Sequence, residues 1–191
     1  MWYKNLLALF VSFEVVNAFG SVPHTAKTIP EKFTLRIPDR QIKDFKSLLA
    51  ASKVGPENLW LTEAKHAWLK FDWRRQEDRI NSVPNFKITV NDADVGKTSM
   101  HFAALFSAKK DALPLLFLHG WPGSFLEFLP MLDILKRKYT PETLPYHIIV
   151  PSLPHYGLSG GPSDVELTLE VAARLLNQLM VDLGFDNGYI A

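Results

Sequence analysis

The chain has 191 residues, 47% of them hydrophobic and 12% aromatic, and its 21 basic and 20 acidic side chains leave a formal charge of +1. That length and apolar content suffice for one or two packed cores, and the balanced charge excludes a nucleic-acid partner recruited by a basic surplus. Cysteine is absent, which excludes disulfides and thiolate chemistry, and the six histidines, at positions 24, 66, 101, 119, 147 and 155, show none of the close pairings a metal site uses, so no metal is expected.

Residues 1–18 read as a signal peptide: a short charged region over Met1 to Lys4, an apolar core over Asn5 to Phe13, and Val16-Asn17-Ala18 suited to processing after Ala18. Glu14 interrupts the apolar run and leaves it short for a membrane span. Left uncleaved, the same segment would serve as an anchor, and only then would a membrane be a partner. The localisation expected is secreted or associated with the endoplasmic reticulum. No Asn-x-Ser/Thr acceptor occurs to support glycosylation.

A polar, Pro-containing linker over Ser21 to Lys32 leads to Phe33–Ile37, which alternates as a short strand. Asp39 is placed to cap a helix with Ile42, Phe45, Leu48 and Leu49 on one face, ended by Gly55-Pro56. A second helix is expected from Thr62, with Ala64, Ala67, Trp68 and Phe71 inward. The mixed charges of Arg74–Arg79 read as its solvated, salt-bridged face.

Phe86–Val90 and Met100–Phe106 predict two strands joined by a polar hairpin loop over Asn91–Gly96. Leu115–Leu118, continuously apolar, predicts a third strand buried on both faces, and a helix with Leu126, Leu129, Leu132 and Leu135 on one side runs to Lys138. Tyr146–Val150 predicts a fourth strand. A helix from Thr168 to Leu183, with Leu169, Ala172, Ala173, Leu176 and Leu179 as its apolar face, leads to Gly188–Ala191, which reads as a fifth strand just beginning. Two antiparallel strands followed by strand–helix–strand alternation is an α/β pattern.

Between the third strand and its helix, His119-Gly-Trp-Pro-Gly-Ser124 must reverse the chain. Gly120 and Gly123 tolerate unusual dihedrals, Pro122 fixes its own φ, and Ser124 is a candidate N-cap. Such a corner points free backbone N–H groups outward beside a helix N-terminus, where developing negative charge is favoured.

This turn resembles the signature of epoxide hydrolases of the α/β-hydrolase fold, in the branch that carries an epoxide-hydrolase N-terminal domain, as in the microsomal and fungal enzymes. Trp68–Phe86 is similar to that N-terminal domain through its Trp73-Arg74 pair, acidic residues, Asn81 and Pro84-x-Phe86 ending. The resemblance covers the chain from about Glu31 onward. It implies that the Trp121 N–H is one of two oxyanion-hole donors, that the peptide before Pro122 is cis, and that Gly120, Gly123 and a turn-bracing His119 support it. It also implies a small-molecule epoxide as substrate, no cofactor, and an N-terminal meander that packs over the lid and in some members forms a homodimer. The fold class expected is therefore α/β, a helical meander over 19–85 followed by the truncated first half of an α/β-hydrolase sheet over 86–191.

Gly157-Leu-Ser-Gly-Gly161 matches the Gly-x-Ser-x-Gly nucleophile elbow of serine hydrolases. An elbow needs a strand leading in and a helix leading out, whereas here Pro151-Ser-Leu-Pro-His-Tyr156 precedes and Pro162 follows. The run instead resembles the loop after the fourth strand of epoxide hydrolases, which makes Tyr156 and Ser159 pocket-wall residues. His155 stands where relatives commonly have Gly, so a positive φ there would strain the loop.

The resemblance further implies an aspartate nucleophile in a Gly-Gly-Asp-like turn after the fifth strand, with lid tyrosines and a His–acid pair beyond it. Asp164, Asp182 and Asp186 follow no buried strand into a tight turn. The function expected is that of an epoxide hydrolase family member, converting an epoxide to a vicinal diol through an ester, with the chain by itself inactive. Two alternatives stay open: a non-catalytic truncated interaction or dimerisation module, and a serine esterase using Ser159.

Overall fold

The structure, a computed structural model, describes residues 18–55, 59–161 and 166–191, so the expected signal segment up to Asn17, Pro56 and Asp164 lie outside the described residues. Residues 18–34 and 82–191 form one compact unit and residues 35–81 another.

The larger unit is built on a strand that cannot face water. Met100 and Phe102–Leu105 are all fully buried within β3 (Gly96–Leu105), because the sheet is covered on both faces. The hairpin places β3 antiparallel to β2 (Asn85–Asp92), with Ile88 opposite Met100 and Phe86 opposite Phe102. The other side of β3 pairs antiparallel with β5 (Tyr146–Pro151), which is parallel to β4 (Leu113–Leu116). With β1 (Glu31–Phe33) on β2, the order across the sheet is β1-β2-β3-β5-β4.

Two expected strands are shifted. β1 ends at Phe33 because the next backbone groups are taken by side chains: Asn81 accepts from the Leu35 N–H at 2.8 Å and donates to the Leu35 carbonyl at 2.9 Å. β4 occupies Leu113–Leu116, with one further backbone bond from Phe117 N–H to the Ile149 carbonyl, and Leu118 already sits 42% exposed in the turn. Of the expected fifth strand over Gly188–Ala191, Ile190 alone is paired: it bridges Leu115 in parallel with N–H···O distances of 2.8 and 3.0 Å.

A 3-10 turn (Phe125–Phe128) leads into α4 (Leu129–Lys138), and α5 (Leu169–Asp182) is capped by Thr168. The buried stripe of α5 is Val171, Leu175, Leu176, Leu179 and Met180, which packs in one core with Phe86, Phe102 and Leu116 of the sheet. This corrects the expected apolar face: Leu169 is the first helical residue and is 86% exposed, and the stripe starts two residues later.

The smaller unit is helical, with α1 (Asp39–Ala51), α2 (Leu59–Lys70) and α3 (Trp73–Asn81). Pro38, not Asp39, is the N-cap of α1, in the extended conformation proline favours; Asp39 is the first helical residue and pairs with Arg74. Phe45, Trp68 and Phe71 join α1 and α2 through ring contacts at 5.0–6.0 Å.

The expected solvated face of Arg74–Arg79 is corrected at Glu77, which is 2% exposed. Its carboxylate accepts from the Ile37 N–H at 2.6 Å, the Trp73 Nε1–H at 2.8 Å, and the Arg74 and Arg36 guanidiniums. Burial pushes its pKa up, but these donors outweigh it and hold the group below the ordinary carboxylate value.

Candidate active site

In the α/β pattern, loops at the carboxyl ends of parallel strands meet, and here the turn after β4 lies beside the loop after β5. His119 joins them. It is 4% exposed, its Nδ1 lies 3.1 Å from the Gly120 carbonyl, and the Leu153 N–H donates to its Nε2 at 3.1 Å. An N–H donor facing Nε2 requires a lone pair there, so the ring proton sits on Nδ1 and bonds Gly120. The Tyr156 ring packs edge-on against His119 at 5.5 Å.

The Trp121–Pro122 peptide is cis, the Trp121 side chain is 81% exposed, and among the described residues its N–H has no acceptor. Ser124 caps the following 3-10 turn with a reciprocal capping box. Its hydroxyl accepts from the Leu126 N–H at 3.3 Å, while Glu127 reaches back to the Ser124 N–H at 3.0 Å. That return explains Gly123, where a Cβ would stand 2.1 Å from Glu127 Oε1 and 2.8 Å from the Gly120 carbonyl oxygen.

Ser159 is built into the loop rather than presented by it. Its hydroxyl donates to the Ser152 carbonyl at 2.7 Å and accepts from the His101 N–H at 2.9 Å, and β5 ended at Pro151. His155 does carry a positive φ, of 65°, and its N–H donates to the Gly160 carbonyl at 3.0 Å. Its ring fills the space above Gly161, where an added Cβ would lie 2.3 Å from it.

Sequence reasoning missed one constellation. The Ser152 hydroxyl lies 2.9 Å from His101 Nδ1, and His101 Nε2 lies 3.0 Å from Asn85 Oδ1. Spacing of this kind suits a serine nucleophile, but Ser152 and His101 are both 0% exposed. Burial, with a smaller push from Lys87, lowers the His101 pKa to about 3, so the neutral ring acts as a brace between β2, β3 and the loop. His101 gave no signal in the sequence because it lies inside an apolar run, and its partners are 16 and 51 residues away.

The carboxylates near the end of α5 are committed elsewhere, Asp186 to Lys27 at 2.9 Å and Asp182 to the Gln178 amide at 2.8 Å. Among the described residues no group of His, Asp or Glu side chains could hold a metal ion.

The family model described as Epoxide hydrolase N terminus matches residues 30–128, more than half of the chain. This chain belongs to the epoxide hydrolase family. A Dothistroma septosporum protein named as an epoxide hydrolase is 41% identical over 194 residues, covering 92% of this chain and 46% of its own length. The epoxide hydrolase of Aspergillus niger superposes with a TM-score of 0.83 at 46% identity, over 90% of this chain and 48% of that one. Juvenile hormone epoxide hydrolase of the silkworm Bombyx mori, at 24% identity and a TM-score of 0.66 over 84% of this chain and 40% of that one, shows the shared fold. The chain thus spans about half the length of these epoxide hydrolases.

Proposed function

We propose that this chain supplies the oxyanion-binding half of an epoxide hydrolase acting on a small-molecule epoxide without a cofactor. The observation that carries the reading is the Trp121 N–H, free of any acceptor among the described residues, at the carboxyl end of β4 beside the loop after β5. An aspartate attacking an epoxide carbon would form an ester as the ring C–O bond breaks, the ring oxygen taking a proton from a lid acid of the second half, and water attacking the ester carbonyl would then place negative charge on the carbonyl oxygen. A fixed N–H donor serves that charge without reorganising. His119, Gly120, Pro122 and Gly123 hold the donor, and Tyr156 and Ser159 belong to the wall. The Glu127 carboxylate at the turn is engaged by the Ser124 N–H as a cap, and Asp182 and Asp186 are bonded elsewhere, so the 191-residue chain alone is expected to form no diol. The stitched Ser159 hydroxyl argues against the esterase alternative.

A chimera joining this chain to the remaining half of the Aspergillus niger enzyme tests the donor with styrene oxide. Trp121→Ala keeps the N–H and should retain diol formation, whereas Trp121→Pro removes it and should cost about 10²–10³ in kcat. Equal activity of the two folded variants would sink the assignment, and diol formed by the unfused chain would sink the claim of dependence on a second half.

A cleaved signal peptide, with secretion or residence in the endoplasmic reticulum, is supported by the apolar run before Val16-Asn17-Ala18. Processing after Ala18 would spare Phe19, which is 1% exposed and whose carbonyl accepts from the Phe106 N–H. Terminal sequencing of the mature protein should start at Phe19; a start beyond it would contradict the reading. No helix of the described residues is long and apolar enough to cross a membrane. A homodimer through the meander is supported by the exposed Leu48, Trp60 and Trp68 of α1 and α2.

A further inference from the structure

At the end of the sheet away from the His119–Ser124 turn, where β3 ends and β5 begins, lies a cavity of about 480 Å³. Val22, Pro23, Phe106, Lys110 and His147 are among the residues that line it. His147, the second residue of β5, is 8% exposed and held between the rings of Phe106 and Phe185 at 6.2 and 5.0 Å.

The Ser107 N–H donates to His147 Nδ1 at 3.2 Å, which makes that nitrogen the acceptor. Burial lowers the pKa of the ring to about 4, so at neutral pH it is uncharged and its one proton sits on Nε2. No acceptor for this Nε2–H exists among the described residues, and it is not sealed in the interior either, since the one enclosed unpartnered side-chain atom among them is Thr98 Oγ1. A buried imidazole therefore opens its single donor to the cavity. Beside it, the Lys109 ammonium leans toward Asp111 at 3.9 Å, while Lys110 has no ion-pair partner among the described residues. Glu142 also lines the cavity and disfavours a second negative group on the ligand.

We propose that this cavity binds a small organic anion, its oxyanion head on the His147 Nε2–H and the Lys110 ammonium and its apolar body against Val22 and Pro23. The volume falls in the range of small-molecule sites and exceeds what an inorganic ion fills. Carboxylates and phosphate esters share the head-group chemistry. The site is separate from the turn that carries Trp121, at the other end of the same strands.

The test is NMR titration of the isotope-labelled 191-residue chain, following the backbone amide resonances of Ser107 and Ala108 in every variant and the His147 ring resonances in the parent, with benzoate, phenyl phosphate, inorganic phosphate and neutral benzyl alcohol. Saturable shifts with benzoate or phenyl phosphate are expected, and which of the two is tighter identifies the head group. Inorganic phosphate should bind more weakly and benzyl alcohol not at all. His147→Asn keeps an oxygen for the Ser107 N–H, but its shorter amide carries no donor out to the Nε2 position, and it should weaken binding by about tenfold or more. Lys110→Ala should weaken it several-fold, most at low salt. Equal binding of benzyl alcohol, absence of saturable shifts, or a folded His147→Asn chain that binds like the parent would overturn the proposal. Should His147→Asn fail to fold, an affinity unchanged by Lys110→Ala would overturn it.

Discussion

A histidine that never reaches water becomes a pH sensor of stability whether or not it has a catalytic task. His101 in β3 is neutral in the folded state, with its pKa lowered to about 3 from an ordinary 6.5. Below about pH 6.5 the unfolded chain takes up a proton that the folded chain refuses, so stability is complete above that pH and falls as pH drops toward 3. Linkage puts the His101 slope at about 1.4 kcal/mol per pH unit in that window, and His147, lowered to about 4, adds in the same direction. Urea melts of the 191-residue chain at pH 7, 6 and 5 should show the decline, and His101→Gln should flatten it. An unchanged slope in that variant would refute the assignment. Nothing in the sequence set His101 apart inside its apolar run, because the oxygens that satisfy its nitrogens come from Asn85 in β2 and Ser152 in the loop after β5. His119 was legible as a brace of its turn, which announces itself in consecutive residues, but its second partner, the Leu153 N–H, was not.

Among the elements, α3 departs furthest from its sequence pattern. Its six-residue charged run Arg74–Arg79 suggests a helix face in water, yet Glu77 turns inward to receive the Ile37 N–H and two arginines. Asn81, one turn later, takes over Leu35, so this helix ends β1 and fixes the approach to α1. Helical spacing cannot reveal such a role, because the partners are backbone groups some 40 residues earlier. Removing the charge leaves Arg74 with Asp39 as its remaining carboxylate and the Ile37 N–H with a weaker acceptor. Glu77→Gln should lower unfolding stability by about 3 kcal/mol, read as a shift in urea midpoint at unchanged m-value. A loss below about 0.5 kcal/mol would show the network to be dispensable. α5 teaches a smaller version of the lesson: its existence and length were legible, but the orientation of its stripe was decided by the sheet beneath it.

For the whole molecule, the consequential feature is the outer edge of β4. Within the described residues that edge is met only at Leu115, by Ile190, and Leu113, Leu118 and Ile190 are all exposed. An apolar parallel edge with open backbone groups favours association with other chains. The 191-residue chain alone should therefore self-associate in sedimentation at micromolar concentration, with Leu118→Lys reducing it. Reduction by Leu48→Glu and not by Leu118→Lys would instead place the contact on the helical meander. An unsubstituted chain that stays monomeric would count against either surface.

The sequence by itself determined the family, the α/β alternation, the corner at His119–Ser124 with its cap, and the unsuitability of Ser159 as an elbow, because each depends on neighbours within a few residues. Tertiary structure alone decided where β1 stops, which face of α5 is buried, and the partners of Glu77, of His101 and of the His147 Nδ1. Those outcomes depend on hydrogen-bond donors and acceptors that lie far apart in the chain, and a buried polar group is stable only where folding delivers its partner.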